Sequence, residues 1–534
     1  MDTTLEPAGD DANPTATAAG HPWAFLLLWA IVLVALGAFV RIPGLGRSLW
    51  LDELTTAWVC GTDQGTLLER AWLNNLSPLY YTIVNASIGL FGYTEVGLRV
   101  PSLLAGLAVI PATLLFAWHH FRARSVAVVL SLIVAVDPVL VQYSFEARPY
   151  AMVMLLSLFQ VHLFLSLFTR PTFVRAAGGG VVMALLVYLH YTAILIAGAE
   201  AVFVMLTWSR RHSPLNVRLK FHVCAFLVAA VLCLPLVPHI LYLAESKDTL
   251  GFKDARTVWS VFSKFGFAWY VLVPLLAGAA MDQLLRTTST IHKRNESFLS
   301  PIVVFAFALF WYAIPSGVIW LLAITNIARI DVDRYVAVAS LAPIIGLGAL
   351  TMLWDARITR AVCLGLGCVG CFAALFNATS RFSDPGRPYR DIADWRSAVT
   401  YVRQYISEAE PDDTPIIVWS GLRETIWLES EPPPLLKSYL LCPVNSLYRL
   451  DGPAFDGRTM PLAHGDSSRS ELIAPRQFEM LARKGGAWII IPEQEERQAL
   501  LNAVFLQLDA NGLGAASVTS KPFKGVTVIH ITIE

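Results

Sequence analysis

The sequence predicts a polytopic α-helical membrane protein with a C-terminal α/β domain. Three observations carry this: recurrent apolar runs of bilayer length, cations gathered in alternate loops, and a change to mixed polar composition near residue 380. Of 534 residues, 55% are hydrophobic and 15% charged, and mean hydropathy is +0.56. Soluble globular domains do not combine those values. A formal net charge of +0 and a pI near 7.2 leave no basic face for a nucleic acid, so none is expected as a partner.

The chain opens on residues 1–22, rich in Ala, Thr, Pro and Asp and without Lys or Arg, which read as a disordered cytoplasmic tail rather than a cleavable signal. A bilayer core of ~30 Å needs about 20 apolar residues in a helix. Eleven segments meet that template: 23–40, 97–118, 125–143, 149–168, 176–189, 192–208, 221–241, 258–284, 298–324, 335–354 and 360–378. The fifth and sixth form one stretch too long for a single crossing, divided here at His190. With the N-terminus inside, Arg122, Arg124, Arg170, Arg175, Arg210, Arg211, Arg218, Lys220, Arg286, Lys293, Arg294, Arg357 and Arg360 all fall in inner loops. The acidic tail, and Arg41 and Arg47 beyond the first span, run against that rule and are outvoted by the later loops.

The predicted organisation is therefore a tail over 1–22, a membrane domain over 23–380 with a structured first outer loop at 41–96, and an extracytoplasmic α/β domain over 381–534. In the last, DIADWRSAVTYVRQYI has helical periodicity, TPIIVWS and GGAWIIIP read as buried strands, and GVTVIHITIE as an alternating strand. The PPP run at 432–434 marks an irregular loop. Five cysteines sit inside apolar runs as small hydrophobes, and Cys60 and Cys442, outside them, read as free thiols.

The first outer loop contains GRSLWLDELTTAW, with adjacent carboxylates Asp52 and Glu53. Its second half, from Pro78 on, reads as a helix at the membrane interface, with Trp50, Trp58, Trp72, Tyr80 and Tyr81 as anchors. Ionisable residues at a membrane's mouth are functional candidates by default. The topology brings to the same side Glu146 and Arg148 in SFEARPY, His190 and Tyr191 between spans, and Arg334 and Tyr335 entering the tenth span. Each has a plainer reading: an N-cap for Asp52, a turn-closing ion pair for Glu146 and Arg148, a core histidine for His190, and an interfacial anchor for Arg334.

The ordered pieces RSLWLDE, SPLYYTIVNASIGLFGYTEVGLRVPSLLAG, SFEARPYAMVMLLSL, YLHYTA and DRYVAVASLAP resemble the bacterial polytopic GT-C glycosyltransferases of the protein-mannosyltransferase and aminoarabinose transferase superfamily. The resemblance covers roughly residues 23–350 and is densest at 46–106. It implies a GT-C-like fold in a bacterial plasma (inner) membrane, with the site outside. It also implies transfer of a sugar from a polyprenyl-phosphate carrier to a hydroxyl acceptor, which is a lipid, glycan or protein. In that chemistry a carboxylate takes the acceptor's proton and a positive environment receives the phosphate. Asp52, in the acidic motif, would be the general base, with Glu53 orienting it. Arg148 would meet the donor phosphate, and Glu146 would steady Arg148 or share a divalent cation, Mg or Mn, with Asp52. His190 would bind phosphate as a cation or hold the acceptor, and Arg334 would assist. Relatives often carry His-Pro-Pro where this chain has Leu76, Ser77 and Pro78, which puts any contact from that histidine in doubt. The competing reading is a transporter or lipid-linked-sugar flippase; it predicts charges at the mid-plane of paired repeats, whereas here they gather on one side.

Overall fold

The computed structural model describes residues 22–61, 64–208, 218–245, 257–285, 299–328, 330–381, 393–408, 414–422, 432–452, 454–462, 475–492 and 516–533. Residues 1–21 of the tail expected over 1–22, and the loop cations Arg210, Arg211, Arg286, Lys293 and Arg294, lie outside them, while Pro22 opens the first helix.

Helix α1 (Pro22–Arg41) is followed by the first loop, which holds three helices: α2 (Leu51–Gly61), α3 (Leu67–Leu73) and α4 (Leu79–Phe91). Then come α5 (Glu95–Phe121), α6 (Arg124–Val136), α7 (Pro138–Ser144), α8 (Tyr150–Thr169), α9 (Phe173–Leu189) and α10 (Leu195–Trp208). The bundle closes with α11 (Leu219–Cys233), α12 (Val237–Glu245), α13 (Val258–Ser263), α14 (Val273–Leu285), α15 (Pro301–Ile324), α16 (Ala342–Thr351) and α17 (Arg357–Arg381).

Seven helical segments are long and apolar enough to cross a membrane, and three bent pairs raise the number to 10. The remaining predicted span is α9, a helix of 17 residues. The protein is thus a multi-pass helical membrane protein, and the bends are what the apolar runs alone do not show. Between α6 and α7 the axis turns by 59°. Pro138 has no N–H to continue α6, and Asp137 instead caps α7, its Oδ1 accepting from the backbone N–H of Val139 at 3.0 Å and Leu140 at 3.1 Å. The run at 258–284 bends by 77° where Phe265 and Gly266 take positive φ. Beside that bend, Lys264 Nζ meets Asp331 Oδ1 at 2.6 Å, both side chains buried.

In the first loop, Trp58, Tyr80 and Tyr81 are fully buried in protein, so they serve as core residues where the sequence reading had interfacial anchors. Pro78 caps α4 rather than sitting inside its first turn.

Past α17, the chain forms α18 (Trp395–Glu408), β1 (Ile416–Val418), α19 (Pro434–Leu440), α20 (Cys442–Asn445), β2 (Thr459–Pro461), α21 (Pro475–Arg483), β3 (Gly486–Pro492), β4 (Ala516–Phe523) and β5 (Val526–Ile533). The strand order is β2-β1-β3-β5-β4, parallel across β2, β1 and β3 and antiparallel beyond. The run IIV of β1 is buried throughout, as a central strand covered on both faces demands. The prolines at 432–434 lead into α19 instead of remaining a loop, since a proline suits a helix's first position.

This region sits on the first loop. Trp58 Nε1 donates to Ser438 Oγ at 2.9 Å, and the Trp58 and Tyr439 rings lie 5.2 Å apart. The Leu49 N–H donates to the Tyr448 hydroxyl at 2.8 Å, and Arg396 pairs with Glu95 at 2.7 Å. No disulfide joins Cys60 and Cys442.

Candidate active site

Asp52 stands inside the first turn of α2 and is not its N-cap. Its backbone carbonyl accepts from the hydroxyls of Thr55 at 2.9 Å and Thr56 at 3.2 Å, which tightens that turn. Asp52 lines a cavity of about 220 Å³, and five other residues singled out in the sequence line it too: Arg148, His190, Tyr191, Arg334 and Tyr335. They come from four separate stretches of chain.

Two guanidinium groups flank Asp52. Arg334 Nη2 lies 3.5 Å from Asp52 Oδ2, and its guanidinium is held between the rings of Trp50 at 5.4 Å and Tyr335 at 5.6 Å. Arg148 Nη1 donates to the Asp52 backbone carbonyl at 3.3 Å, while its Nε is buried without a hydrogen-bond partner among the described residues. A buried guanidinium with an unmet donor is short of an anion. Burial opposes its charge, and the neighbouring Tyr150 and Asp52 outweigh that and keep the guanidinium protonated.

His190 is oriented by a relay. The Thr192 hydroxyl donates to the Tyr335 carbonyl at 2.5 Å, and His190 Nδ1 lies 2.8 Å from Thr192 Oγ1. One hydroxyl has one proton, so Nδ1–H must donate to Thr192, which leaves Nε2 as an acceptor. Burial, with Arg148 and Arg334 nearby, pushes the imidazole pKa down to about 3. At neutral pH it is therefore uncharged, which argues against the cationic phosphate-binding role and for the acceptor-holding one. Tyr191, next to it, is fixed by a hydroxyl contact of 2.7 Å to His239 Nδ1, and His239 stacks on Trp72 with ring centres 5.0 Å apart.

Glu53 and Glu146 do not line this cavity; both line a small separate pocket with Arg47, Trp50 and Arg99. Glu53 is buried and fully engaged. Arg99 donates to it through Nε at 2.7 Å and Nη2 at 2.5 Å, and the Ala147 N–H donates at 2.7 Å. It clasps the first loop to α5 and to the turn that presents Arg148. Glu146 accepts from Gln142 Nε2 at 2.8 Å, and burial, reinforced by Glu53, raises its pKa to about 7. Among the described residues no cluster of three metal-ligating side chains includes Asp52 or Glu146.

Several lining residues had no signal in sequence: Asn74, Asn75, Thr192, and Leu422 and Tyr439 from the C-terminal region. Arg99 did have one, a lone cation inside an apolar helix, where charge is rare and paired.

No protein-family model matches the chain, and no curated protein matches it. Among solved structures, apo ArnT from Cupriavidus metallidurans is similar with a TM-score of 0.52 at 12% identity, over 95% of this chain and 98% of that one. The same protein bound to undecaprenyl phosphate gives 0.52 and 12%, over 96% and 98%. Arabinofuranosyltransferase AftD from Mycobacteria gives 0.47 and 12%, over 95% of this chain and 40% of that one. The likeness to ArnT runs through nearly the whole of both chains, and this chain accordingly has the GT-C-like fold of ArnT.

Proposed function

We propose that the protein is an inverting glycosyltransferase that moves a sugar from a polyprenyl-phosphate carrier to a hydroxyl acceptor at the outer face of a bacterial plasma membrane. The observation that carries this is the convergence of Asp52, Arg148, Arg334 and His190 on one cavity, with one guanidinium at the Asp52 carboxylate and a second at its backbone carbonyl. Asp52 takes the acceptor's proton as its oxygen bonds to the anomeric carbon; the bond from that carbon to the phosphate oxygen breaks, and the lipid phosphate leaves. Arg148, with its unmet Nε, and Arg334 receive the charge that develops on that phosphate. His190, neutral, accepts a hydrogen bond through Nε2 from a second hydroxyl of the acceptor, beside the one that reacts. Glu53 is a positioning residue, acting through Arg99 and the Ala147 turn. ArnT has been captured with undecaprenyl phosphate, which favours a lipid phosphate as the donor's carrier here.

The test is sugar transfer by purified protein from a panel of polyprenyl-phosphate sugars to membrane extract, comparing wild type with folded Asp52→Asn. Removal of a catalytic base costs about 10²–10⁴ in rate. Equal turnover by the two would remove Asp52 from the role, and donor movement across liposomes without transfer would favour a flippase.

A further inference from the structure

At the end of α5 and α8 remote from Asp52, three imidazoles gather. His119 and His120 are consecutive on the last turn of α5, and His162 faces them from α8, which packs along α5. Their rings are mutually adjacent, with centres 5.0 Å apart for His119 and His120, 5.0 Å for His119 and His162, and 5.4 Å for His120 and His162. One ring nitrogen from each lies within 4.8 Å of the others. Nothing in the proposed transfer chemistry uses them.

We infer that His119, His120 and His162 form a binding site for a late first-row divalent metal ion, zinc or its neighbours. A tetrahedral ion with bonds of ~2.0 Å holds its nitrogens about 3.3 Å apart. His120 Nε2 and His162 Nδ1 already stand 3.2 Å apart. His119 is exposed at the rim and is the ring free to swing in, leaving a fourth position for water. All-imidazole ligation selects against magnesium, calcium and manganese, which prefer oxygen. Arg122, Arg170 and Arg175 carry positive charge toward His119 and oppose a cation. The site therefore favours ions with high intrinsic imidazole affinity, in the order copper above nickel and zinc, then cobalt. Phe116 packs on His120 and His162 at 4.4 Å and 6.3 Å and shields that side from solvent. Bound metal would cross-link the two helices whose opposite ends carry Arg99 and lead from Arg148.

The experiment uses full-length protein purified without a histidine tag and stripped by chelator, titrated with Co²⁺ and followed by its visible ligand-field bands, then displaced by Zn²⁺. About one Co²⁺ per chain in a tetrahedral spectrum is expected, with Mg²⁺ in excess unable to compete. His162→Ala should weaken binding by about 100-fold or more, and His119→Gln, altering an exposed ring and leaving the helix interface intact, by about tenfold or more. His530→Gln, in the C-terminal sheet, should bind as wild type. No tetrahedral spectrum in wild type, or an undiminished one in folded His119→Gln, overturns the site.

Discussion

Asp52 and Glu53 are neighbours in sequence and strangers in space, because successive residues of an α-helix diverge by about 100°. One rotates onto the cavity; the other turns inward to Arg99, 46 positions along the chain. Their variants should separate accordingly. Glu53→Gln leaves the buried Arg99 charge uncompensated and should cost about 3–5 kcal/mol of stability. Asp52→Asn keeps the side chain's shape and weakens only a partly exposed contact of 3.5 Å to Arg334, so it should cost ~1 kcal/mol or less while transfer collapses. Thermal unfolding in detergent beside the transfer assay reads both, and similar melting losses would contradict the division. His190 gives a pH prediction. Its ordinary value is 6.5 and its folded value about 3, so the unfolded chain binds the proton first. Its contribution is complete above pH 6.5 and is lost as pH falls from there toward 3. His190→Gln should therefore flatten the acid side of a plot of melting temperature against pH; an unchanged slope would mean that His190 titrates normally. The acidic pair was legible in the sequence as a motif, but the division of labour was not, because it depends on a partner brought from α5.

At the scale of elements, chain breaks position the site more than regular spans do. The bend of 59° after α6 turns the chain toward SFEARPY, and Arg41 at the end of α1 secures it. Its Nη1 and Nη2 donate to the carbonyls of Ala135 at 2.6 Å and Val134 at 3.1 Å, and its Nε to Ser144 Oγ at 3.0 Å. A cation at a helix C-terminus also meets the negative end of the dipole. Arg41→Leu orphans those last carbonyls, each charge-assisted bond being worth about 1.5–3 kcal/mol. The variant should melt several degrees lower and lose transfer through misplacement of Arg148; unchanged melting would show that water caps α6 instead. Pro138 marks this bend in the sequence, although the apolar run 125–143 reads as a single span across it. The bend at 258–284 had no such mark, since Phe265 at positive φ is held there by tertiary contacts that composition does not encode. Likewise TPIIVWS and GGAWIIIP announced themselves as buried strands, whereas TMP at β2 is three residues that become a strand only by pairing with β1.

For the molecule as a whole, the cavity is a joint product of distant parts. Asp52 belongs to the first loop, Arg334 to the segment before α16, and Leu422 and Tyr439 to the C-terminal region. The fit of that region on the first loop therefore shapes the site, and its contacts are unequal in strength. Arg396 and Glu95 pair at 2.7 Å, but the arginine is 40% exposed, and such pairs contribute ~1 kcal/mol or less. Trp58, wholly buried, fills the interface against Tyr439 and satisfies its N–H on Ser438, and truncating such a residue costs about 3–5 kcal/mol. Arg396→Ala should thus leave transfer near wild type. Trp58→Ala should loosen α19, speed hydrogen exchange of its amides, and raise the substrate KM, because Tyr439, which packs on Trp58, lines the cavity. Equal effects from the two substitutions, or a Trp58→Ala enzyme with native exchange in α19, would mean that the C-terminal region is held by other contacts and that the cavity's shape does not depend on this one.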